Sequence, residues 1–435
     1  MSAELMKSAP GLPAEPLGDA SAVVGEMLAR IRAGGVDAVT EYARRLDGWS
    51  GDIVVPEDTI AEACARVPAD LKAHIGYAHD NIRRFAEAQR ASIRDFRIEL
   101  RPGLVAGQRA IPLDTAGCYV PGGRYAHIAS ALMTITTARA AGVPKVIACS
   151  PPKPGQGIPD AILYAMHLAG ADRILALGGV QAVAAMAFGH FGGPPADILV
   201  GPGNAFVAEA KRQLFGPVGI DMVAGPTDSM ILADATADPL TVAWDLVGQA
   251  EHGPTSPVWL ATTDRALAAD VLRLIPGCID DLPEPNRSAA RAAWDRLGEV
   301  ILCDTREDMA RTADTYAPEH LHVQAEDLPW WRDRLRAYGS LFLGASTTVA
   351  FGDKASGPNH VLPTSGAARY TGGLSVHKFL KTVTWQEVAP EALPDLAAAT
   401  ACISRFEGME GHARTADIRL AKLSPAAMLT THHEG

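Results

Sequence analysis

The stretch RILALGGVQAVAAMAFG, residues 173–189, decides how the chain is interpreted. Its apolar run, Ile174 to Leu177, ends at Gly178-Gly179 and is followed at once by an alanine-rich segment. A buried strand that ends in a glycine turn and leads into a helix is one half of a βαβ unit. This stretch therefore predicts an α/β fold with a parallel sheet.

The same pattern recurs on both sides of this stretch. The other strand candidates are residues 146–148, 198–200, 230–233, 258–261 and 300–302, with helical stretches between them. Before residue 100 the apolar positions follow helical spacing, and the helices predicted there are 20–32, 35–46, 56–66 and 71–96. The sequence thus predicts two α/β modules, a helical N-terminal region and a helical C-terminal tail, with no clear internal repeat.

Composition bounds the possible functions. The chain has 435 residues, of which 48% are hydrophobic and 20% charged, as is typical of a globular protein with two or more domains. A formal charge of −11 and a pI of about 5.6 oppose nucleic-acid binding. The N-terminus lacks a signal-peptide pattern, and the most apolar stretch, 174–189, is too short and interrupted to span a bilayer. The six cysteines form no C-x-x-C pair, so we expect a cytoplasmic protein that binds neither nucleic acid nor membrane.

Three glycine-containing loops are candidates for cofactor binding, because functional loops of open α/β sheets follow the carboxyl ends of the strands. They are residues 117–123, 178–181 and 201–204. Backbone amides in such loops can bind a pyrophosphate. Gly201 and Gly203 fit the start of G-x-G-x-x-G, but Phe206 stands where the third glycine belongs. Spacing alone leaves both a dinucleotide site and ordinary turns open, and it favours the turns.

Polar residues at several loop ends form a second group of candidates. Gln249 and His252 lie three residues apart at a predicted helix end, so their side chains share one face. Further candidates are Asp353, His412 and the adjacent pair Glu319-His320. Nitrogen and oxygen donors without thiolates suit a catalytic zinc ion, and Glu beside His can supply a general base and a proton relay. No spacing is a compact metal motif, so by spacing alone polar loops and helix caps are the favoured alternative.

Taken together and in order, these segments resemble the histidinol dehydrogenase family over residues 31–423. The most specific segments are residues 117–123, 178–181, 201–211, 215–226, 249–254, 316–321, 352–364 and 407–412. Each segment alone is modest support. The ordered set is not explained by chance, and it replaces the alternatives that local spacing favours.

The resemblance implies roles for single residues. A zinc ion would be held by four side chains, Gln249, His252, Asp353 and His412. The acid/base pair would be Glu319 and His320. The contacts to NAD would be Tyr119, Gln181 and Asn204, which explains why a strict dinucleotide fingerprint is missing.

The resemblance also implies an architecture. The family fold has two incomplete Rossmann-like domains, a helical N-terminal region and a helical C-terminal tail in a domain-swapped dimer. The first α/β domain, with the helical N-terminal region, would comprise residues 1–118 and 229–366, and the second, NAD-binding domain residues 119–228. The tail, residues 367–435, would reach the partner subunit, so that His412 completes the partner's site.

The implied reaction is a four-electron oxidation in two hydride steps. A primary alcohol would lose a proton to His320 and a hydride to NAD, and the aldehyde would stay bound. Glu319 would then activate water. A second NAD would accept the second hydride, which leaves a carboxylate.

Three departures from the histidinol-oxidising members concern the substrate. Those enzymes carry a Glu four residues before the metal-binding Asp, where it helps to hold the substrate ammonium; here that position is Val349. Their Gly-Pro-Ser-Glu is replaced by the segment 225–228, which contains Thr227. After residue 123, Arg124 and His127 add one fixed and one titratable cation, and such groups suit an anionic oxyacid.

These variant segments resemble the sulfopropanediol 3-dehydrogenase branch of the family. That branch oxidises (R)-2,3-dihydroxypropane-1-sulfonate to (R)-3-sulfolactate with two NAD. The predicted substrate contacts are Arg124, His127, Thr227, His360 and Glu407. Because Glu407, which helps to hold the imidazole in histidinol enzymes, is retained, oxidation of L-histidinol to L-histidine stays open. A non-catalytic binding protein is disfavoured, because the zinc and acid/base positions are intact.

Overall fold

The computed structural model of the chain describes residues 3–11, 18–122, 127–223 and 225–423. The chain divides into two compact units. Unit 1 comprises Met1–Arg90 with Pro112–Phe379, and unit 2 comprises Ala91–Ile111 with Leu380–Gly435. Over the described ranges, no helix combines the length and the apolar character needed to cross a membrane. The predicted α/β fold is confirmed.

The described residues form strands that belong to three sheets. In chain order they are β1 (Ala3–Lys7), β2 (Phe96–Arg101), β3 (Leu104–Pro112), β4 (Thr115–Tyr119), β5 (Lys145–Ser150), β6 (Arg173–Ala176), β7 (Ile198–Val200), β8 (Gly219–Ile220), β9 (Ser229–Ala233), β10 (Val258–Thr262), β11 (Glu299–Cys303), β12 (His320–Gln324), β13 (Ser340–Leu343) and β14 (Leu380–Val388).

The helices lie between and after these strands. In chain order they are α1 (Gly18–Tyr42), α2 (Glu57–Arg66), α3 (Ala69–Ser92), α4 (Ile128–Ala141), α5 (Asp160–Ala169), α6 (Gly179–Phe188), α7 (Ala205–Leu214), α8 (Pro239–Ala250), α9 (Arg265–Asp280), α10 (Asn286–Leu297), α11 (Arg306–Tyr316), α12 (Leu328–Arg334), α13 (Val349–Lys354), α14 (Leu393–Phe406) and α15 (Glu410–Ala421). A π-helical turn, Ala43–Asp47, continues α1.

The first sheet of unit 1 is parallel, with strands in the order β6-β5-β4-β7-β8. The first strand in sequence therefore lies in the centre, and the order reverses between β4 and β7. The crossover helices α4, α5 and α6 each end at a glycine with positive φ, Gly142, Gly170 and Gly189. Glycine adopts this left-handed conformation without a Cβ penalty and ends the helix cleanly.

The second sheet of unit 1 has the order β1-β11-β10-β9-β12-β13. Its parallel strands β9 to β13 repeat the strand order of the first sheet, and β1 is added antiparallel at the edge beside β11. One face packs against α8, α9 and α10, and the other packs against α11 and α12. Both sheets are thus covered by helices, as buried parallel strands require.

The helical N-terminal region packs on the first sheet. Val24, Ile31 and Val39 of α1 are fully buried in the same core as residues of α6 and α7. Gln213 of α7 also donates a hydrogen bond from Nε2 to the Ser21 carbonyl at 2.8 Å. The domain boundary predicted between residues 118 and 119 falls inside β4 of this sheet.

Unit 2 contains the three-stranded sheet β14-β3-β2 and the helices α14 and α15. Small residues, among them Ala397, Ala401 and Ala413, are buried where α14 packs against α15. The tail is not purely helical as predicted, because β14 precedes its helices. The helix predicted over 71–96 ends at Ser92, since Phe96 begins a strand whose apolar side chains alternate with polar ones.

Candidate active site

Glu319 and His320 lie at the amino end of β12. Helix α11 ends at Ala317, which adopts a positive φ of 48°, and Pro318 leads into the strand. Glu319 and His320 are 6% and 3% exposed. A Cβ at Gly339, before β13, would lie 2.5 Å from the Glu319 carbonyl oxygen, so close packing of the two strand ends requires a glycine there. The predicted acid/base pair is therefore buried at a strand end.

The Glu319 carboxyl group is bound by two residues that directly precede the neighbouring strand β9. Its Oε2 accepts hydrogen bonds from the Thr227 hydroxyl and from the Asp228 backbone N–H. Asp228 in turn accepts from the Glu319 backbone N–H at 2.6 Å and from that of Ser365 at 3.1 Å. Burial raises the pKa of Glu319 to about 7 despite the nearby charge of His320 and the Thr227 hydrogen bond. A carboxyl group in this range can exchange protons near neutral pH.

His320 presents one free ring nitrogen. Its Nδ1 lies 3.2 Å from the Asp228 carbonyl oxygen, which can only accept, so Nδ1 carries the proton. Its Nε2 is buried, has no hydrogen-bond partner among the described residues, and lies 3.5 Å from Oδ1 of Asp353. Burial lowers the pKa of His320, but the charges of Glu319 and Asp353 outweigh burial and raise it to about 9. This arrangement suits a base that forms a stabilised imidazolium.

Asp353 is the centre of the polar cluster. It is buried on α13, and its Oδ2 lies 3.6 Å from Nε2 of His252. Burial raises the pKa of Asp353, but interactions with His252 and His320 outweigh burial and hold it well below its usual range. His360 donates from Nδ1 to the Asp353 carbonyl at 2.8 Å and accepts from Ser130 of α4 at 2.9 Å. The structure thus brings together four predicted site residues, His252, His320, Asp353 and His360.

The predicted zinc ligands fit a metal only in part within unit 1. Among the described residues, no three His, Cys, Asp or Glu side chains form a metal-binding cluster. However, the predicted set contains an amide, Gln249, whose buried Oε1 has no hydrogen-bond partner. This oxygen is presented by the last turn of α8, just before His252. An unpaired buried oxygen and a carboxylate that faces an imidazole are donors that zinc accepts.

His127 lies beside this cluster at the start of α4. Burial, together with the charges of His360, Lys354 and His252, lowers the pKa of His127 to about 4. The predicted contact Arg124 lies outside the described residues. Val349, in place of a carboxylate, is buried at the start of α13.

The remaining predicted ligands belong to unit 2. Glu407 follows α14 as its C-terminal cap, and His412 lies in the first turn of α15. Both side chains are exposed. Their roles stay predictions.

The three predicted NAD contacts line one cavity of about 680 Å³ at the carboxyl ends of the first sheet. Tyr119 ends β4, and its hydroxyl accepts a hydrogen bond from the Gly179 N–H at 3.1 Å. Gln181 lies in the first turn of α6. Asn204 caps α7, because its side-chain oxygen accepts from the Val207 N–H at 3.1 Å. The cavity opens where the strand order reverses, the usual ligand site of an open α/β sheet.

The helical N-terminal region also contributes to this cavity. Asp47, at the end of the π-helical turn, accepts hydrogen bonds from the Gly178 N–H at 3.1 Å and from Nε2 of Gln181 at 2.9 Å. Burial raises the pKa of Asp47 against the lowering effect of these hydrogen bonds. Arg30 and Arg45 also line the cavity, with their guanidinium groups 5.5 and 4.8 Å from the centre of the Tyr42 ring.

A buried ion pair holds the glycine loop after β7. Lys211 pairs with Asp221 and donates from Nζ to the Gly201 carbonyl at 3.0 Å. Oδ2 of Asp221 accepts from the Gly201 N–H at 2.7 Å. Gly201 has a φ of 112°, and a Cβ there would lie 2.0 Å from the Tyr119 carbonyl oxygen. Both backbone groups of Gly201 are therefore fixed beside the cavity.

Sequence reasoning missed three residues that organise these sites: Asp47, Asp228 and Ser130. Asp228 belongs to the variant segment 225–228 and Ser130 follows His127 by three residues, but no local pattern assigned either of them a partner. Asp47 precedes Gly48, a typical helix-ending glycine. That signal locates a helix end and does not distinguish a buried carboxylate from a solvated one.

The first sheet has a cavity where its strand order reverses, and the second sheet has a buried acid/base pair. Together they indicate an α/β enzyme whose site suits a dehydrogenase. The family model for histidinol dehydrogenase matches residues 13–420. A "Histidinol dehydrogenase homolog" of Ruegeria pomeroyi is 77% identical over 425 residues, and the sulfopropanediol 3-dehydrogenase of the same organism is 61% identical; each match covers 98% of both chains. Histidinol dehydrogenase of Thermus thermophilus is 41% identical, with 91% of this chain and 94% of that protein covered.

The fold comparison agrees with these matches. The crystal structure of histidinol dehydrogenase from Elizabethkingia anophelis has a TM-score of 0.89 and 33% identity, and covers 96% of this chain and 95% of that chain. The chain belongs to the histidinol dehydrogenase family. It is therefore an oxidoreductase of a family whose members generally depend on NAD and zinc.

Proposed function

We propose that this chain is a zinc- and NAD-dependent dehydrogenase that oxidises (R)-2,3-dihydroxypropane-1-sulfonate through the aldehyde to (R)-3-sulfolactate. The observation that carries the substrate assignment is the charge around Asp353. Burial lowers the pKa of His127 to about 4 and also lowers that of His360, so both imidazoles are neutral near pH 7 and His127 does not add the expected positive charge. The Lys354 ammonium acts on both imidazoles, and Val349 replaces the carboxylate that would attract an ammonium group. Such surroundings favour an anionic substrate over a cationic one.

The named relatives support the same substrate. The relative at 61% identity is called a sulfopropanediol 3-dehydrogenase, whereas the histidinol dehydrogenase of Thermus thermophilus is 41% identical. Glu407 favours the second candidate, histidinol, because the resemblance gives this carboxylate a role in holding the imidazole. Its side chain is exposed in unit 2, and a carboxylate at one position does not offset the loss at Val349.

The metal donors would be Gln249, His252 and Asp353 of one chain with His412 of a second copy. The unpaired Oε1 of Gln249 and the contact between Asp353 and His252 support this set. A bound zinc ion would supply Lewis-acid polarisation of the substrate oxygens and fix their position.

The chain's own residues would carry the proton transfers. Once it is deprotonated, Nε2 of His320 would be the base that accepts the alcohol proton, because Nδ1 donates to the Asp228 carbonyl. Glu319 would activate water for the second oxidation, with its carboxyl group aligned by Thr227. Thr227 then acts through Glu319 as a positioning residue in addition to its predicted substrate contact. General acid–base groups of this kind contribute about 10²–10⁴-fold to a rate.

The cofactor would occupy the cavity of the first sheet. Tyr119, Gln181 and Asn204 line it, and the guanidinium of Arg45, which also lines it, suits a pyrophosphate, whereas that of Arg30 is paired with Glu41. Ser130 of α4, the helix that follows β4, binds His360 beside Asp353. Within unit 1, Tyr119 at the cofactor cavity and Ser130 at the acid/base cluster therefore belong to consecutive elements, β4 and α4.

A homodimer would complete the site. Unit 2 exposes large apolar side chains: Phe96, Ile403, Phe406 and Ile418, of which Phe406 is 95% exposed. Exposed large apolar side chains suit a protein interface, and a second copy that covers them could deliver His412. Mixing the inactive variants His320→Asn and His412→Asn tests this. Shared sites predict recovery of about one quarter of wild-type activity, because about half of the dimers are then mixed and each mixed dimer holds one intact site out of two. No recovery would mean that His412 acts within its own chain.

The substrate assignment is tested by following NADH formation with dihydroxypropanesulfonate and with histidinol, before and after chelation. We expect turnover of the sulfonate that stops on metal removal and returns with zinc. Turnover of histidinol alone would overturn the substrate assignment, and turnover that survives complete chelation would overturn the metal requirement. His127→Ala should mainly raise KM for the sulfonate, and unchanged kinetics would remove His127 from the substrate site.

A further inference from the structure

Asp47 reaches the cofactor cavity from the helical N-terminal region. The π-helical turn Ala43–Asp47 ends at Gly48, whose positive φ of 62° turns the chain away. One carboxylate oxygen of Asp47, Oδ2, accepts both the Gly178 N–H and the side-chain amide of Gln181. Asp47 therefore joins the end of α1 to the turn between β6 and α6.

This contact determines which way the Gln181 amide faces. A carboxylate can only accept hydrogen bonds, so the NH₂ group of Gln181 must point to Asp47 and Oε1 must point away. Gln181 is 1% exposed and lines the cavity, and its Oε1 has no hydrogen-bond partner in the described part of the chain. Burying an acceptor without a donor costs free energy. A ligand that supplies the missing donor removes this cost and therefore binds more tightly.

A complementary donor lies next to this acceptor. The Tyr119 hydroxyl accepts the Gly179 N–H, so its own proton remains available to a ligand. A Cβ at Gly179 would lie 3.2 Å from Oε1 of Gln181, so the hydroxyl and the amide oxygen both border this glycine. An acceptor and a donor side by side match a group that carries an NH₂ donor beside an acceptor. In a nicotinamide dinucleotide, both the carboxamide and the adenine edge have this pattern.

We propose that Asp47 is a positioning residue that fixes the Gln181 amide so that its oxygen receives an NH₂ donor of the dinucleotide. This inference rests on the proposed cofactor site. It states that Gln181 recognises the cofactor as a hydrogen-bond acceptor and not as a donor. It also gives the helical N-terminal region a role in cofactor selectivity.

The test measures NADH binding by fluorescence titration of the intact protein without substrate, so it does not depend on turnover. Asp47→Asn can accept from Gly178 and donate to Gln181, which lets the Gln181 amide reverse. Asp52→Asn removes one exposed carboxylate nearby and serves as the charge control. Two reduced analogues identify the donor: the hypoxanthine dinucleotide lacks the adenine amino group, and the 3-acetylpyridine dinucleotide lacks the carboxamide amino group.

We expect the wild type to bind one of the two analogues about tenfold more weakly than NADH, as the loss of a buried hydrogen-bond donor predicts. Asp47→Asn should weaken NADH binding by about the same factor and abolish that discrimination, whereas Asp52→Asn should behave as the wild type. Gln181→Met, which keeps the Asp47–Gly178 contact, should also lose the discrimination. It provides a second measure if Asp47→Asn folds poorly.

Two results would overturn the inference alone: Asp47→Asn with the affinity and discrimination of Asp52→Asn, or a wild type that binds both analogues as tightly as NADH. A wild type that fails to bind NADH at all would overturn the proposed cofactor site and this inference with it. The two failures are therefore distinguishable in the same titration.

Discussion

The two sheets of unit 1 share a strand order but use opposite ends. In the first sheet, the cavity forms at the carboxyl ends, where Tyr119 and Gln181 follow β4 and β6. In the second sheet, the acid/base residues stand at the amino ends, where Asp228 precedes β9 and His320 begins β12. Strand order therefore predicts where a crevice forms, and the polar residues decide which end is used.

The carboxyl end of the second sheet is filled by hydrogen-bonded polar side chains. At the carboxyl end of β12, Asp245 accepts from Nε2 of Gln324 at 2.7 Å and from the Thr348 hydroxyl at 2.8 Å. His322 donates to the Gly344 carbonyl at 3.1 Å. These hydrogen bonds tie the polar side chains at this end to one another and to the backbone. The two ends of β12 thus differ: the amino end carries an imidazole beside Asp353, and the carboxyl end carries Asp245 bound by Gln324 and Thr348.

The largest expected effect is at the amino end of β12. His320→Asn should lower kcat by about 10²–10⁴-fold, because the general base is removed while its volume is roughly kept. The matched control is His322→Asn, two residues further along the same strand, which should leave kcat within a few-fold of the wild type. Equal losses from the two variants would contradict the division of β12 into a reactive and a structural end.

The next effect concerns the first sheet. Lys211→Met should lower the free energy of unfolding by about 3–5 kcal/mol, because Asp221 is left as an unpaired buried charge beside Gly201. Urea unfolding measures this, with Lys145→Met at the exposed start of β5 as control. A loss no larger than that of the control would mean that the ion pair does not hold the glycine loop.

A smaller effect is expected at the carboxyl end of the second sheet. Asp245→Asn should lower the free energy of unfolding by about 1–3 kcal/mol, because a partly buried acceptor for Gln324 and Thr348 is weakened. NADH formation measured at the same temperature should be unchanged while the protein stays folded. Lost turnover with intact stability would reveal a site at this end too.

The smallest expected effect is a shift in pH dependence. The negative charge of Glu319 raises the pKa of His320, so Glu319→Gln should lower it. Because the neutral imidazole is the active form, the acidic limb of kcat/KM for the alcohol step should move to lower pH. Single-turnover NADH formation isolates that step from water activation. A limb that stays in place or moves to higher pH would contradict the electrostatic coupling of the pair.

Much of unit 1 could be predicted from the sequence. The apolar runs before glycine loops correctly located β5, β6, β7, β9, β10 and β11, because buried parallel strands are continuous apolar segments. The remaining strands were missed, β2 and β14 among them. Phe96, Ile98 and Leu100 alternate with polar residues as in a strand, but they are exposed and follow directly on a helical pattern.

The sites could be predicted only through the family resemblance. Spacing alone favoured polar loops over a zinc site at Gln249 and His252, and turn glycines over a cofactor loop at Gly201. The hydrogen bond from Gln181 to Asp47 joins residues 134 positions apart. The repeated strand order of the two sheets likewise leaves no sequence repeat, because topology depends on which strands pair and not on which residues they contain.

The edge strand β1 has a consequence for the nascent chain. Ala3 pairs with Cys303, so β1 leaves the ribosome about 300 residues before its partner β11. A contact over such a separation closes a long loop and forms late in folding. Until then, the backbone groups of β1 are open to pairing with another polypeptide. Co-translational aggregation should therefore be most sensitive to substitutions within β1, and a chaperone that shields β1 would have the whole synthesis of the intervening residues in which to act.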